Sequence, residues 1–142
     1  MHNIQSPRTD DDGVEAEIKA KGLTAPRVTP ADIEANIASE HYFTAAEGEA
    51  GALLESLRRY APDKIVSTQP LATSEPGPRT PLDLLTFCVL VLKNGFTVTG
   101  ESACASPENF DAEIGRKLAR ANAVNKIWPL MGYELRSRLA GQ

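Results

Sequence analysis

The chain is poor in the residues that give short sequences away. Cysteine occurs only twice in 142 residues, as Cys88 and Cys104, with no CxxC spacing, so neither a disulfide framework nor a zinc motif is encoded. Both thiols read as small core residues. No apolar stretch approaches the roughly 18 residues that cross a bilayer, and the opening segment MHNIQSPRTDDDG has no apolar secretory core. A cytoplasmic protein without membrane contact is expected. Basic charge is also scarce: the net charge is −4, and residues 1–83 carry 8 Lys/Arg against 14 Asp/Glu. That balance argues against nucleic acid as a partner, because phosphate binding needs a concentrated basic patch. Arg116, Lys117 and Arg120 do cluster, but three cations on an amphipathic helix suit its solvated face.

What is present is one complete supersecondary unit. The apolar run Leu84–Leu92 meets Asn94-Gly95, the strongest short signal for a two-residue type I′ hairpin, and Phe96–Thr99 returns by alternation. Ser106-Pro107 then offers a helix cap and an N1 proline, with Phe110, Ile114, Leu118 and Ala121 at helical spacing. Pro129 follows Trp128, while Leu130, Met131, Tyr133, Leu135 and Leu139 continue the helical pattern, so one long helix should be kinked there.

Upstream, residues 1–13 are polar and acidic and form an expected disordered tail. Val14–Lys21 makes two helical turns before Gly22. Thr29-Pro30-Ala31-Asp32 is a capping box with Val28 and Ile33 as a hydrophobic staple, starting a helix that should end near Ser39. His41–Thr44 reads as a third strand. Residues 46–83 form a variable insert, with a helix over Ala52–Tyr60 and a proline-rich surface loop across 67–81. The fold class is α+β: residues 14–142 form one domain in which a small antiparallel hairpin, extensible to three strands, packs on a long Pro-kinked C-terminal helix and short N-terminal helices.

A two-residue loop sets Val91 opposite Val98 and gives the hairpin two faces. One carries Phe87, Val89, Val91, Phe96 and Val98 and should lie under the helices. The other carries Cys88, Leu90, Leu92, Thr97 and Thr99, too apolar for water, and calls for the middle segment or another subunit as a cover. Leu90 and Leu92, with Trp128 and Tyr133, are therefore the expected interface residues of a homo-oligomer. For a small anion, the strand-to-helix junction supplies Glu101, Ser102 and Asn109, with Arg116 and Arg120 for charge. The bland reading of that junction is acidic complementation of a helix dipole. Catalysis has little support: Ser102 with His41 and Asp111 lacks a nucleophile elbow, and Cys88, Cys104 and His41 lack metal-ligand spacing. No catalytic residue, metal or cofactor is expected.

Two blocks, KGLTAPRVTPADIEANIASEHYFTA at 21–45 and LLTFCVLVLKNGFTVTGESACASPENFDAEIGRKLARANAVNKIWPLMGYELRSRL at 84–139, carry a resemblance. They resemble the family of small bacteriophage proteins founded on gene product 49 of an N-four-type coliphage and gene product 66 of a Shigella phage. The resemblance implies a phage or prophage origin and an accessory role in the host cytoplasm; small size, the lack of a catalytic constellation and an under-covered strand face suit non-covalent binding of a host or phage protein. It supplies no catalytic residues. The strand-turn-strand-helix layout is also similar to phage proteins that sequester nucleotide immune signals, which implies as an alternative a small anionic nucleotide as partner.

Overall fold

The computed structural model describes residues 11–65 and 79–141. Its order is α1 (Asp11–Ala20), α2 (Pro30–Ala35), β1 (Ile37–Thr44), α3 (Ala45–Tyr60), β2 (Leu85–Leu92), β3 (Thr97–Ala103) and α4 (Ala112–Leu139), with short 3-10 turns at Pro62–Lys64, Pro81–Leu84 and Pro107–Asn109. The three strands form one antiparallel sheet in the order β1-β2-β3, so the α+β class and the third strand hold. The long helix α4 lies across one face of that sheet.

Each helix start has a local cause. Thr29 and Asp32 exchange the two bonds of a capping box, Asp32 N to Thr29 Oγ1 at 3.1 Å and Thr29 N to Asp32 Oδ2 at 3.0 Å, and α2 begins where the sequence places it. It stops at Ala35 rather than near Ser39, because Ile37 is already paired with Leu92 as the first residue of β1. Helix α3 begins at Ala45, seven residues before the sequence-based start. The T-x-x-E pattern of Thr44 and Glu47 forms a second capping box that nucleates it ahead of Gly48 and Gly51, whose poor propensity masks the helix in the sequence.

The segment 11–13, expected within a disordered tail, is the first turn of α1; residues 1–10 lie outside the described residues, as does 66–78 of the proline-rich segment. Helix α4 is also displaced. Pro107 starts only a 3-10 turn without a side-chain cap, and Asp111 caps the α-helix by accepting from Ile114 N at 3.0 Å. A carboxylate at the N-cap also complements the helix dipole, which a serine cannot do. Pro129 lies within α4, which runs unbroken for 28 residues.

The hairpin tip overturns the expected turn, and with it the assignment of faces. Leu92 N donates to Phe96 O at 2.8 Å and Gly95 N donates to Leu92 O at 2.9 Å, so the loop is Lys93-Asn94-Gly95. Only Gly95 takes a positive φ, +88°, whereas a type I′ turn would need Asn94 there too. One extra loop residue shifts the register: Val98 stands opposite Leu90, and Val91 opposite Thr97. Because side chains alternate with period two, the interior face becomes Thr86, Cys88, Leu90 and Leu92 with Val98, Gly100 and Ser102.

That face and α4 make the core. Cys88 and Leu90 are fully buried with Ala119, Ala123 and Ile127, and Ile33 of α2 closes one end. Burying a side chain such as Leu90 or Ile127 contributes about 1.5–3 kcal/mol. Helix and strand approach closely because the facing residues are small. A Cβ on Gly100 would lie 2.1 Å from Ala119 O and 2.3 Å from Ala123 N, so only glycine fits there. Asn122, almost buried, donates from Nδ2 to Glu101 O at 2.8 Å and ties α4 to the edge strand β3. The buried stripe of α4 is thus Ala119, Asn122, Ala123 and Ile127, while Ile114, expected on the core stripe, is half exposed.

Candidate functional site

The sheet face turned away from α4 is the most conspicuous surface. Along β2, burial alternates strictly, leaving Leu85, Phe87, Val89 and Val91 partly exposed on this side. The register adds Ser39, His41 and Phe43 from β1, and Thr97, Thr99 and Glu101 from β3. The first turns of α3 cover one end: a Cβ on Gly48 would lie 3.3 Å from the Phe43 ring, and Phe43 stacks on Phe87 with centroids 5.6 Å apart. Beyond that end Val89 and Val91 form an apolar strip. Leu53 and Leu54 of α3 are also exposed, and Phe96 at the hairpin tip is exposed on the α4 side, opposite Leu92.

The residues expected to form an interface divide. Leu90 and Leu92 are 0 % and 4 % exposed beneath α4, so the face they occupy is the core and needs no further cover. The slipped register explains the correction, since the same alternation with one fewer loop residue would have placed them outside. Trp128 is half buried against the core, whereas Tyr133 is 78 % exposed on α4.

The five residues expected at a ligand junction do not converge. Ser102 is buried on the α4 side and, with Asn109, lines a small cavity of about 20 Å³ that also touches Thr86 and Cys104. This is the volume of a single water, far below any nucleotide. Glu101 points to the opposite side of the sheet. Arg116 lines a different cavity, and Arg120 stands one turn further along α4. Nor are Ser102, His41 and Asp111 assembled: His41 bonds Ser39 on the outer face of β1, and Asp111 is the cap of α4. Of the two thiols, Cys88 is core and burial raises its pKa, while the half-buried Cys104 donates to Ser106 O.

Arg120 has a structural task that sequence spacing did not reveal. Its guanidinium is forked between two carboxylates 86 and 80 residues upstream, at 3.0 and 2.7 Å from Glu34 and at 3.0 and 3.1 Å from Glu40. Bidentate geometry of this kind makes a strong charge-assisted contact, and it locks α2 and β1 to α4. The hydrogen bonds from Arg120 hold Glu40 below the usual carboxylate range, with Tyr42 Oη donating a further bond at 2.7 Å. Desolvation, reinforced by Glu40, pushes the Tyr42 phenol upward, and the two carboxylates keep Arg120 charged.

A second arginine cluster is less committed. Tyr42, Phe43, Thr86, Phe110, Arg79 and Arg116 line a cavity of about 380 Å³ at the end of the sheet, where α3 and α4 begin. Arg79 lies over the Phe110 ring at 4.5 Å. Among the described residues no His, Cys, Asp and Glu group has the arrangement of a metal site, and no helix is long and apolar enough to cross a membrane.

Comparison with known proteins gives one match. The model of a family described as "Phage protein (N4 Gp49/phage Sf6 gene 66) family" matches residues 28–139, a span that runs through the 46–83 segment. No curated protein and no solved structure matches the chain.

Proposed function

Because this chain belongs to the phage protein family of N4 Gp49 and Sf6 gene 66, we propose that it is a phage accessory protein that acts in the host cytoplasm by non-covalent binding of another protein, in host takeover or counter-defence. The observation that carries this reading is the open sheet face. Phe87, Val89 and Val91 form an apolar strip on the central strand. Exposed apolar surface that is contiguous rather than scattered marks an interaction site. An edge strand on either side, β1 and β3, also leaves backbone groups for strand addition. Nucleotide sequestration at the strand-helix junction receives no comparable support, because the cavity there has the volume of one water.

Adjacent residues give the test. Val89 points out and Leu90 points in, so Val89→Glu should leave the fold intact and abolish capture of partners from infected cells. Capture of the same proteins by Val89→Glu and by the wild-type chain would defeat the proposal. A second reading is that the partner is another copy. It is favoured by the scarcity of charge on this face, where His41 and Glu101 are the only ionisable residues among those described. Two copies could then pair about a two-fold axis. Light scattering decides it: a wild-type mass well above 15.3 kDa that collapses to the monomer in Val89→Glu identifies the self-pair.

A further inference from the structure

We infer that the cavity at the shared start of α3 and α4 is a binding site for a small organic anion, with Arg116 and Arg79 holding the charged group and the Phe43 and Phe110 rings taking the apolar part. Three observations converge. The volume, about 380 Å³, lies within the range of small-molecule sites. Arg116 projects from the first turns of α4 and forms no ion pair with another described residue, while Arg79 rests on the Phe110 ring and has Asp83 as an electrostatic neighbour. The wall is mixed, with the aromatic residues Phe43 and Phe110 beside Thr44 and Thr86, as suits a ligand with one charged and one apolar end.

Two carboxylates also line the cavity, Glu47 and Asp83, and each serves as a capping group. Glu47 Oε1 accepts from Thr44 N at 2.8 Å. Asp83 Oδ2 accepts from Thr80 N at 2.8 Å and from Thr80 Oγ1 at 2.9 Å. Both carboxylates keep their charge while capping, and Asp83 attracts Arg79, which leaves Arg116 as the guanidinium without a carboxylate partner among the described residues. The contrast with the larger cavity between α1, α2 and α4, about 520 Å³, is instructive. Its arginine is Arg120, whose donors are spent on Glu34 and Glu40.

The test is titration of the full chain with phenyl phosphate, inorganic phosphate and benzylamine, followed by amide NMR. Phenyl phosphate should bind about tenfold more tightly than inorganic phosphate, since the rings add a contact that the bare ion cannot use. Its shifts should centre on Thr44, Thr86 and Ala112. Arg116→Gln and Arg79→Gln, both at exposed positions, should each weaken phenyl phosphate about tenfold or more while the unperturbed amide spectrum remains that of the folded protein. Benzylamine should not compete. The proposal is overturned if neither anion binds, if Arg116→Gln retains full affinity, or if benzylamine binds as well as phenyl phosphate, which would mean that Glu47 and Asp83 dominate the site.

Discussion

Two glycines at the residue scale have different reasons to be glycine, and the difference is measurable. Gly95 has φ +88° with open space around its Cβ position, so its requirement is purely conformational. Gly95→Val should destabilise the fold by about 1 kcal/mol or more, and Gly95→Asn by less, because asparagine tolerates the left-handed region better than a β-branched residue. Gly100 has an ordinary φ and a steric requirement instead. Backbone atoms of Ala119 and Ala123 occupy the place a methyl would take, so Gly100→Ala must push α4 off the sheet. We expect a loss of about 2–3 kcal/mol, at the upper end of overpacking costs. Urea unfolding of the variants, with unchanged m-values, checks both; a near-neutral Gly100→Ala would show that the helix can yield.

Among elements, the sheet and α4 share a core, whereas α2 and β1 are held to α4 by charge as well. Glu40 has its folded pKa lowered chiefly by the hydrogen bonds from Arg120. A group of this kind contributes stability above its unfolded pKa, about 4.3 for a glutamate, and that contribution is lost as pH falls through the lower folded value. Stability should therefore decline on acidification below the ordinary glutamate range. Arg120→Met should reduce stability at neutral pH and flatten the part of the decline that Glu40 causes. The urea midpoint measured against pH gives the answer, and parallel curves for the two proteins would remove the clamp from the account. The ion pair of Arg27 with Glu15 plays a smaller role of the same sort, joining α1 to the segment that precedes α2.

For the whole molecule, strands from either side of the 46–83 segment meet in one sheet and one helix packs across it, so the described residues should unfold as a unit. The single tryptophan, Trp128, sits on α4 against the core and reports on packing, while far-UV circular dichroism reports on all helices. Their transitions should coincide. Separate midpoints would mean that α3, none of whose residues is buried, melts on its own. At this scale Leu90→Glu is expected to prevent folding, because it buries a charge without a partner in a fully enclosed position. Circular dichroism of the purified variant shows it directly, and a native spectrum would contradict the placement of the core.

Local chemistry was legible in the sequence wherever a few neighbouring residues decide the outcome. The capping box at Thr29, the strand run into a hairpin at Gly95, the long helix through Pro129 and the family resemblance all come from contiguous residues. Only the tertiary structure decided which hairpin face is inside, because a two-residue and a three-residue loop are both compatible with Lys93-Asn94-Gly95, and a slip of one residue exchanges every side chain between faces. The choice is made by α4: Gly100, Ala119 and Ala123 are small on facing surfaces and let helix and sheet close together in one register. The same distance in sequence hid the rest of the candidate site. Arg120 meets carboxylates of α2 and β1, and Arg116 shares a cavity with Arg79, in each case across a gap of more than thirty residues that no spacing rule spans.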